Sequence, residues 1–275
     1  MKIFKNKLKL QKYISKDKHI SFVPTMGGLH EGHLSLIKKA KSYNKKVLVS
    51  IFVNPKQFNI KNDFHNYPRN LTNDIRLLKK VKIDYLYLPT YKDIYGFKPT
   101  NSIYLGEFSK QLCGKNRKGH FKGVLNVVNR FLEIIKPKYL FLGLKDFQQL
   151  TLINFHILKN KINTKVVKCK TIREKNGVAC STRNYALNIE QLNIASKVYK
   201  YLFNIKKKIN RNFYLCNSNL LRKNLISLGV DKIDYIEYID LRSFKKVKKT
   251  RNKSKIISKI FIAYYIKKIR LIDNI

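Results

Sequence analysis

Two histidines three residues apart, His30 and His33, stand in the run Pro24-Thr25-Met26-Gly27-Gly28-Leu29-His30-Glu31-Gly32-His33. The run follows an apolar stretch, His19 to Pro24, that reads as a strand. It opens a stretch, His33 to Tyr43, that reads as a helix with Leu34, Ile37 and Ala40 on one face. The glycines allow a tight turn and close backbone approach. A helix N-terminus offers free amides and the positive end of a dipole to an anion. Imidazoles three apart share the first turn, where they can hydrogen-bond a phosphate and follow its charge into a transition state. A turn carrying two solvent histidines explains an isolated HxGH about as well. The strand–glycine–helix setting tips the balance, because two of the chain's six histidines sit here.

Four more clusters follow expected strands or turns. Phe52-Val53-Asn54-Pro55-Lys56-Gln57-Phe58 brings two neutral amides, Asn54 and Gln57, that can donate and accept and suit a hydroxy acid better than a bare phosphate. Gly143-Leu144-Lys145-Asp146-Phe147-Gln148-Gln149 supplies a cation for phosphate at Lys145. Its Asp146 can pair with that lysine or face a nucleotide or metal, and Gln149 can hold a polar substrate group. Cys180-Ser181-Thr182-Arg183-Asn184 sets two hydroxyls beside a guanidinium, a combination fitted to a triphosphate tail. Arg117 to Gly123 reads as a basic, glycine-containing loop that could act as a mobile lid. Taken singly, these are an ordinary Asn-Pro turn, a surface ion pair, a helix cap and a loop.

The elements that must position these residues alternate. Strands are expected at Val47–Val53, Tyr85–Pro89, Tyr139–Leu142 and Val166–Val167, with helices at Leu71–Val81, Gly123–Lys136 and Thr151–Asn160. Continuous apolar runs such as Val47 to Val53 suit a parallel sheet covered on both faces. The alternation implies an α/β fold whose ligands lie at the carboxyl ends of the strands. After about Thr171 the texture changes. A long basic helix over Ile189–Lys208, a helix over Leu220–Leu228 and strands over Ile233–Ile239 and Ile256–Tyr265 indicate a smaller α+β domain.

The chain has 275 residues and 59 Lys and Arg against 16 Asp and Glu, a formal charge of +43. Such an excess suggests nucleic acid. However, 48 of the cations are Lys, and Lys, Ile and Asn together make 107 residues, a bias that AT-rich codons produce without selection for a partner. The lysines are scattered rather than gathered in one arm, so no specific nucleic-acid partner is expected. The longest late apolar stretch, Ile260–Ile266, is far below the roughly 20 residues of a membrane span, and no membrane role is expected. Cys113, Cys169, Cys180 and Cys216 have no CxxC spacing and read as reduced thiols in a cytoplasmic protein.

The HxGH element resembles the HIGH-type signature of the nucleotidyltransferase superfamily. Five blocks in order resemble one family within it, pantothenate synthetase (pantoate–β-alanine ligase): Met26 to His33, Ser50 to Phe58 with Tyr67-Pro68-Arg69, Gly119 to Val128, Gly143 to Gln149, and Arg173 to Asn184. The final Arg270-Leu271-Ile272-Asp273-Asn274 looks like the family's terminus. The resemblance implies ATP-dependent, Mg²⁺-supported joining of pantoate to β-alanine through a pantoyl adenylate, with release of pyrophosphate and AMP. It implies a Rossmann-like, doubly wound parallel sheet over residues 1–171 that binds ATP and pantoate, a smaller α+β lid domain over 172–275, and a homodimer.

By matching position, the resemblance assigns Met26, Gly27, Gly28, Leu29, His30, Glu31, Gly32 and His33 to ATP, with His33 as proton donor. It assigns Gly143, Leu144, Lys145 and Asp146 to nucleotide, Lys145 on phosphate, and the backbone of Ile172 to adenine. Cys180, Ser181, Thr182 and Arg183 close over the phosphates. Gln57 and Gln149 bracket pantoate with Asn54 beside them, and Gln57 also lies near β-alanine. His33, His30 and Lys145 are the catalytic set; the metal ligands are not specified. The chain departs from the family at Cys180 and Thr182 of its usual Met-Ser-Ser-Arg, at Gly28 where Ala is usual, and at Lys118 where Pro is usual.

Overall fold

Val47, Leu48 and Val49 are all essentially inaccessible, and a strand buries successive side chains only when both its faces are covered. That requirement organises the first of two compact units, Met1–Ile172 and Arg173–Ile275. The computed structural model describes residues 1–17, 19–43, 45–59, 61–209, 217–247 and 257–275.

The first unit runs β1 (Lys2–Phe4), α1 (Lys7–Ile14), β2 (Ile20–Thr25), α2 (Glu31–Lys41), β3 (Lys46–Ile51), α3 (Lys61–His65), α4 (Leu71–Lys80), β4 (Tyr85–Tyr87), α5 (Tyr91–Tyr95), α6 (Leu112–Asn116), α7 (His120–Ile135), β5 (Tyr139–Gly143), α8 (Phe147–Lys159) and β6 (Lys165–Cys169). The six strands form one parallel sheet in the order β1-β4-β3-β2-β5-β6. Strand β2 pairs with both β3 and β5, so the winding direction reverses there. A crevice opens at such a point, beyond the carboxyl ends of the two strands.

Alternation along β3 sends Val47 and Val49 to one face, where they pack with Leu34, Ile37 and Ala40 of α2 and Leu78 of α4. The opposite face meets α7. There Phe131 packs its ring against Phe22, Tyr87 and Phe52 at centroid distances of 5.5, 6.2 and 6.4 Å. Helix α7 buries 13 of its 16 residues, the polar His120, Asn129 and Arg130 among them.

The second unit holds α9 (Ile189–Lys208), α10 (Ser218–Ser227) and the strands β7 (Lys232–Asp240), β8 (Ser258–Ile266) and β9 (Ile269–Asn274). These three strands form an antiparallel sheet. Val198, Leu202 and Ile205 of α9, with Leu221 and Leu225 of α10, pack on Ile236, Ile260 and Ile262. Arg173 makes a two-pronged ion pair with Asp273, at 2.6 and 3.0 Å, and Arg270 pairs with Asp234 at 2.7 Å. Both pairs are largely buried.

The expected α/β architecture with a smaller α+β region is what the chain adopts. Sequence periodicity missed β1, α1, β9 and the short helices α3, α5 and α6. Helix α1 is a basic segment whose only buried residues are Leu10 and Ile14, too thin an apolar stripe to stand out. Segment 120–123, read from sequence as part of a loop, is the first turn of α7. Cys216 and Ile256 lie outside the described residues.

The aromatic cluster yields a direct test. Phe131→Ala is expected to lower the unfolding free energy by about 3–5 kcal/mol, measured by urea denaturation at constant m-value.

Candidate active site

The turn after β2 is built by a residue that sequence reasoning did not select. Asp74, in the first turn of α4 and 1% exposed, accepts hydrogen bonds from the amides of Gly28 (2.9 Å, Oδ2) and Leu29 (2.8 Å, Oδ1). Thr25 Oγ1 accepts from Gly27 N at 3.2 Å and donates to Ser50 O at 2.8 Å. Gly27 and Gly28 both have left-handed backbone (φ 81° and 61°), a region that side-chain-bearing residues enter only at a cost. A Cβ on Gly27 would also sit 2.9 Å from Asp74 Oδ2. Leu29 turns its side chain into the core. The amides of Gly27, Gly28 and Leu29 therefore serve the turn itself. The one signal for Asp74 in the sequence is an acid, scarce in this chain, at the start of a helix.

Helix α2 begins at Glu31, two residues before its sequence-expected start, because His30 caps it. His30 Nδ1 accepts from Gly32 N (3.1 Å), and His33 Nδ1 accepts from His30 N (3.4 Å). A backbone amide can only donate, so each Nδ1 is unprotonated and each ring carries its proton on Nε2. The two rings lie 4.1 Å apart between centroids. Burial, then the Lys145 ammonium, lowers the His30 pKa to about 4, with Asp146 opposing. Burial, then His30 and Lys145, holds His33 well below the usual imidazole range. Both rings are thus neutral near pH 7 and present Nε2–H groups as hydrogen-bond donors.

Lys145 comes from the neighbouring strand. Pairing of Ser21 with Tyr139 and Phe22 with Leu140 sets β2 beside β5, so the turn Leu144–Asp146 after β5 stands next to the histidine turn. Lys145 Nζ lies 3.9 Å from Asp146 Oδ2. A Cβ on Gly143 would meet nothing within 4 Å, so the chain's own packing leaves open space there. At the start of α8 the two glutamines part. Gln148 is buried and holds the loop before α6 through Phe108 O, Gln111 O and Cys113 N. Gln149 is half-buried and makes no side-chain hydrogen bond to a described residue. Ile172, three residues past β6, is half-buried at the end of the first unit.

Beyond β3, Asn54 caps the short turn Pro55–Gln57. Its side chain is spent on Lys56 N, Gln57 Oε1, Gly123 O and the Tyr95 hydroxyl, so Asn54 shapes the turn. Gln57 Nε2 lies 2.9 Å from Met26 Sδ, which joins this turn to the histidine turn. His120, from α7, meets Gln57 O at 2.8 Å through Nδ1; a carbonyl only accepts, so Nδ1 carries the proton. Its Nε2 then accepts from Arg117 Nη1 at 3.0 Å. The expected lid residues Arg117 and His120 are fastened to the Gln57 turn.

Within the second unit, Cys180 is buried and Ser181 Oγ accepts from Arg183 N at 3.3 Å. Asn184 ties this turn to Glu174 and Ala179. Arg183 Nη1 donates to Arg270 O at 3.0 Å. Among the described residues no group of three His, Cys, Asp or Glu converges as a metal site.

The pantoate-beta-alanine ligase family profile matches residues 2–275. The pantothenate synthetase of Fervidobacterium nodosum is 40% identical over 267 residues, covering 95% of this chain and 92% of that protein. The crystal structure of the Francisella tularensis pantoate-beta-alanine ligase, complexed with beta-gamma ATP and beta-alanine, is 41% identical with a TM-score of 0.82, covering 100% of this chain and 97% of that one. The Thermus thermophilus pantothenate synthetase is 29% identical with a TM-score of 0.90, covering 100% and 99%.

Two outcomes are expected from this geometry. Asp74→Ala strands two buried amides and should lower stability by about 2–5 kcal/mol, read from the denaturant midpoint. The depressed histidines impose a pH slope. Below the ordinary imidazole value of 6.5 the unfolded chain takes up protons that folded His30 and His33 refuse, so folded stability falls as pH drops from 7 to 5. His33→Gln should flatten that fall in a melting-temperature series.

Proposed function

We propose, for a chain that belongs to the pantoate–β-alanine ligase family, that the crevice between β2 and β5 is where the ligation is carried out. The chain is a pantoate–β-alanine ligase of pantothenate biosynthesis. The observation that carries the site assignment is the convergence of His30, His33 and Lys145 at the carboxyl ends of the two strands flanking the reversal of the sheet.

ATP is the nucleotide of this reading, in line with the nucleotide-bound Francisella relative. Its phosphates meet the Nε2–H donors of His30 and His33 and the Lys145 ammonium. Attack of the pantoate carboxylate on the α-phosphorus forms the P–O bond of pantoyl adenylate as the bond to pyrophosphate breaks. The demand on the protein is alignment and stabilisation of negative charge, for which neutral donors and one cation suffice. His33, neutral before the nucleotide arrives, acts first as a hydrogen-bond donor to the departing phosphate oxygens. The β-alanine amine then attacks the acyl carbon and AMP leaves. Met26 to Gly32, Gly143, Leu144 and Asp146 line the nucleotide side, and Ile172 meets adenine through its backbone. Gln57 and Gln149 hold pantoate.

Mg²⁺ is proposed to arrive on the triphosphate. It commonly keeps several waters and takes one or two carboxylates beside substrate phosphates, and half-exposed Asp146 would be the carboxylate to hold it. Cys180, Ser181, Thr182 and Arg183 are assigned to nucleotide on their motif alone. The homodimer and a cytoplasmic location follow from the family resemblance. Among the described residues, Cys113, Cys169 and Cys180 are reduced thiols, and no helix is long and apolar enough to cross a membrane.

The test is pyrophosphate and product formation with Mg-ATP plus pantoate, β-alanine or both. Pyrophosphate should require pantoate, and pantothenate should require both substrates. His33→Ala and Lys145→Ala should each slow adenylate formation about 100-fold or more in a folded protein. Unchanged rates in those variants would remove the site assignment.

A further inference from the structure

Gln57 is an amide, and an amide can face a ligand with either its oxygen or its NH₂ group. The surrounding contacts decide which. Asn54 Oδ1 faces Lys56 N at 3.2 Å, and Asn54 Nδ2 faces Gly123 O at 3.2 Å. The first partner only donates and the second only accepts, so Asn54 has one permitted orientation. Reversing it would oppose donor to donor and acceptor to acceptor in a residue that is 1% exposed.

The backbone on both sides leaves no slack. A Cβ on Gly123 would lie 2.1 Å from Lys56 O, so α7 is pressed directly onto the Pro55–Gln57 turn. Tyr95 reinforces the orientation. Its hydroxyl lies 2.8 Å from Asn54 Oδ1 and must donate to it. Burial pushes the Tyr95 pKa up to about 12, which keeps that proton in place. The ring is held with Lys56 Nζ 4.0 Å and the Arg130 guanidinium 5.0 Å from its centroid.

Asn54 Nδ2 also donates to Gln57 Oε1 at 3.1 Å. The Gln57 oxygen is thereby turned inward and its NH₂ group outward, beside the Met26 thioether, a weak acceptor that a substrate oxygen can readily outcompete. Sequence alone left Gln57 able to donate or accept; the fold removes one of the two.

We propose that Tyr95 and Asn54 form a polarity clamp that makes Gln57 a hydrogen-bond donor only, so that it reads a hydroxyl or carboxylate oxygen of the hydroxy acid and cannot accept a hydrogen bond from the β-alanine amine. Tyr95 and Asn54 are positioning residues in this account. The inference rests on the reading of Gln57 as a pantoate contact, and the experiment separates the two.

Steady-state KM values for pantoate, ATP and β-alanine are measured for four variants, with melting temperatures alongside. Gln57→Ala tests the contact itself. Asn54→Asp keeps an acceptor for Lys56 N and Tyr95 but sets a second oxygen against Gln57 Oε1, which forces the Gln57 amide to reverse. It should raise the pantoate KM about 30-fold, with the ATP and β-alanine values within about twofold. Gln57→Glu, an acceptor, should act in the same direction. Tyr95→Phe removes one of the two donors to Asn54 and should raise the pantoate KM about fivefold. If Asn54→Asp fails to fold, Tyr95→Phe and Gln57→Glu decide the matter.

An unchanged pantoate KM in Gln57→Ala overturns the underlying contact. A raised value there, with normal values in Tyr95→Phe and Gln57→Glu, overturns the clamp alone. So does a uniform loss of kcat with all three KM values moving together, the pattern of a merely structural role.

Discussion

The pairing of β2 with β5 is the constraint on which the rest of the site depends. The two strands are far apart in sequence, Phe22 against Leu140, yet hydrogen-bonded neighbours in the sheet. Parallel strands deliver their carboxyl ends to the same side, so the turns that follow must meet. One contributes His30 and His33, the other Lys145. The proposed polyphosphate site needs both, since neither turn alone gathers donors enough. The buried aromatic face under Phe131 and the aliphatic face under α2 and α4 hold the two strands in that relation.

The electrostatics of the crevice differ from those of the chain as a whole. A formal charge of +43 suggests a site saturated with cations, yet the two histidines at its centre are neutral. Burial removes their charge, and Lys145 reinforces the effect. Behind the same turn lies the Asp74 carboxylate, which takes up the Gly28 and Leu29 amides just ahead of the helix. Positive charge is thus concentrated at Lys145, and the imidazoles contribute direction. For the proposed phosphoryl chemistry this division suits the need, since a directional donor strengthens as charge builds on the oxygen it faces.

Backbone groups set the polarity of the side chains around them. Obligate donors at Gly32 and His30 fix the tautomers of the two histidines, an obligate acceptor at Gln57 fixes that of His120, and Lys56 with Gly123 fixes the amide of Asn54. Ambivalent side chains become unambiguous wherever a rigid backbone meets them. The site's chemical character follows from main-chain geometry as much as from residue type.

Much of this was legible in the residues. The 3.6 and 2.0 periodicities placed the major strands and helices, since both report burial on a regular surface. The HxGH run, the Asn54–Gln57 segment and the Gly143–Gln149 segment were recognisable because each combines uncommon residue types at short spacing after an apolar run. Helix α1 was not, because two buried residues in eight leave almost no pattern. Asp74 and Tyr95 were not, because their roles are long-range hydrogen bonds, to residues 45 and 41 positions away. Sequence by itself determined which residue types and which elements exist, since propensity and burial pattern are local. Only the tertiary structure decided which turns meet, which imidazole nitrogen carries the proton and which end of Gln57 faces outward, because those depend on partners that the chain brings together by folding.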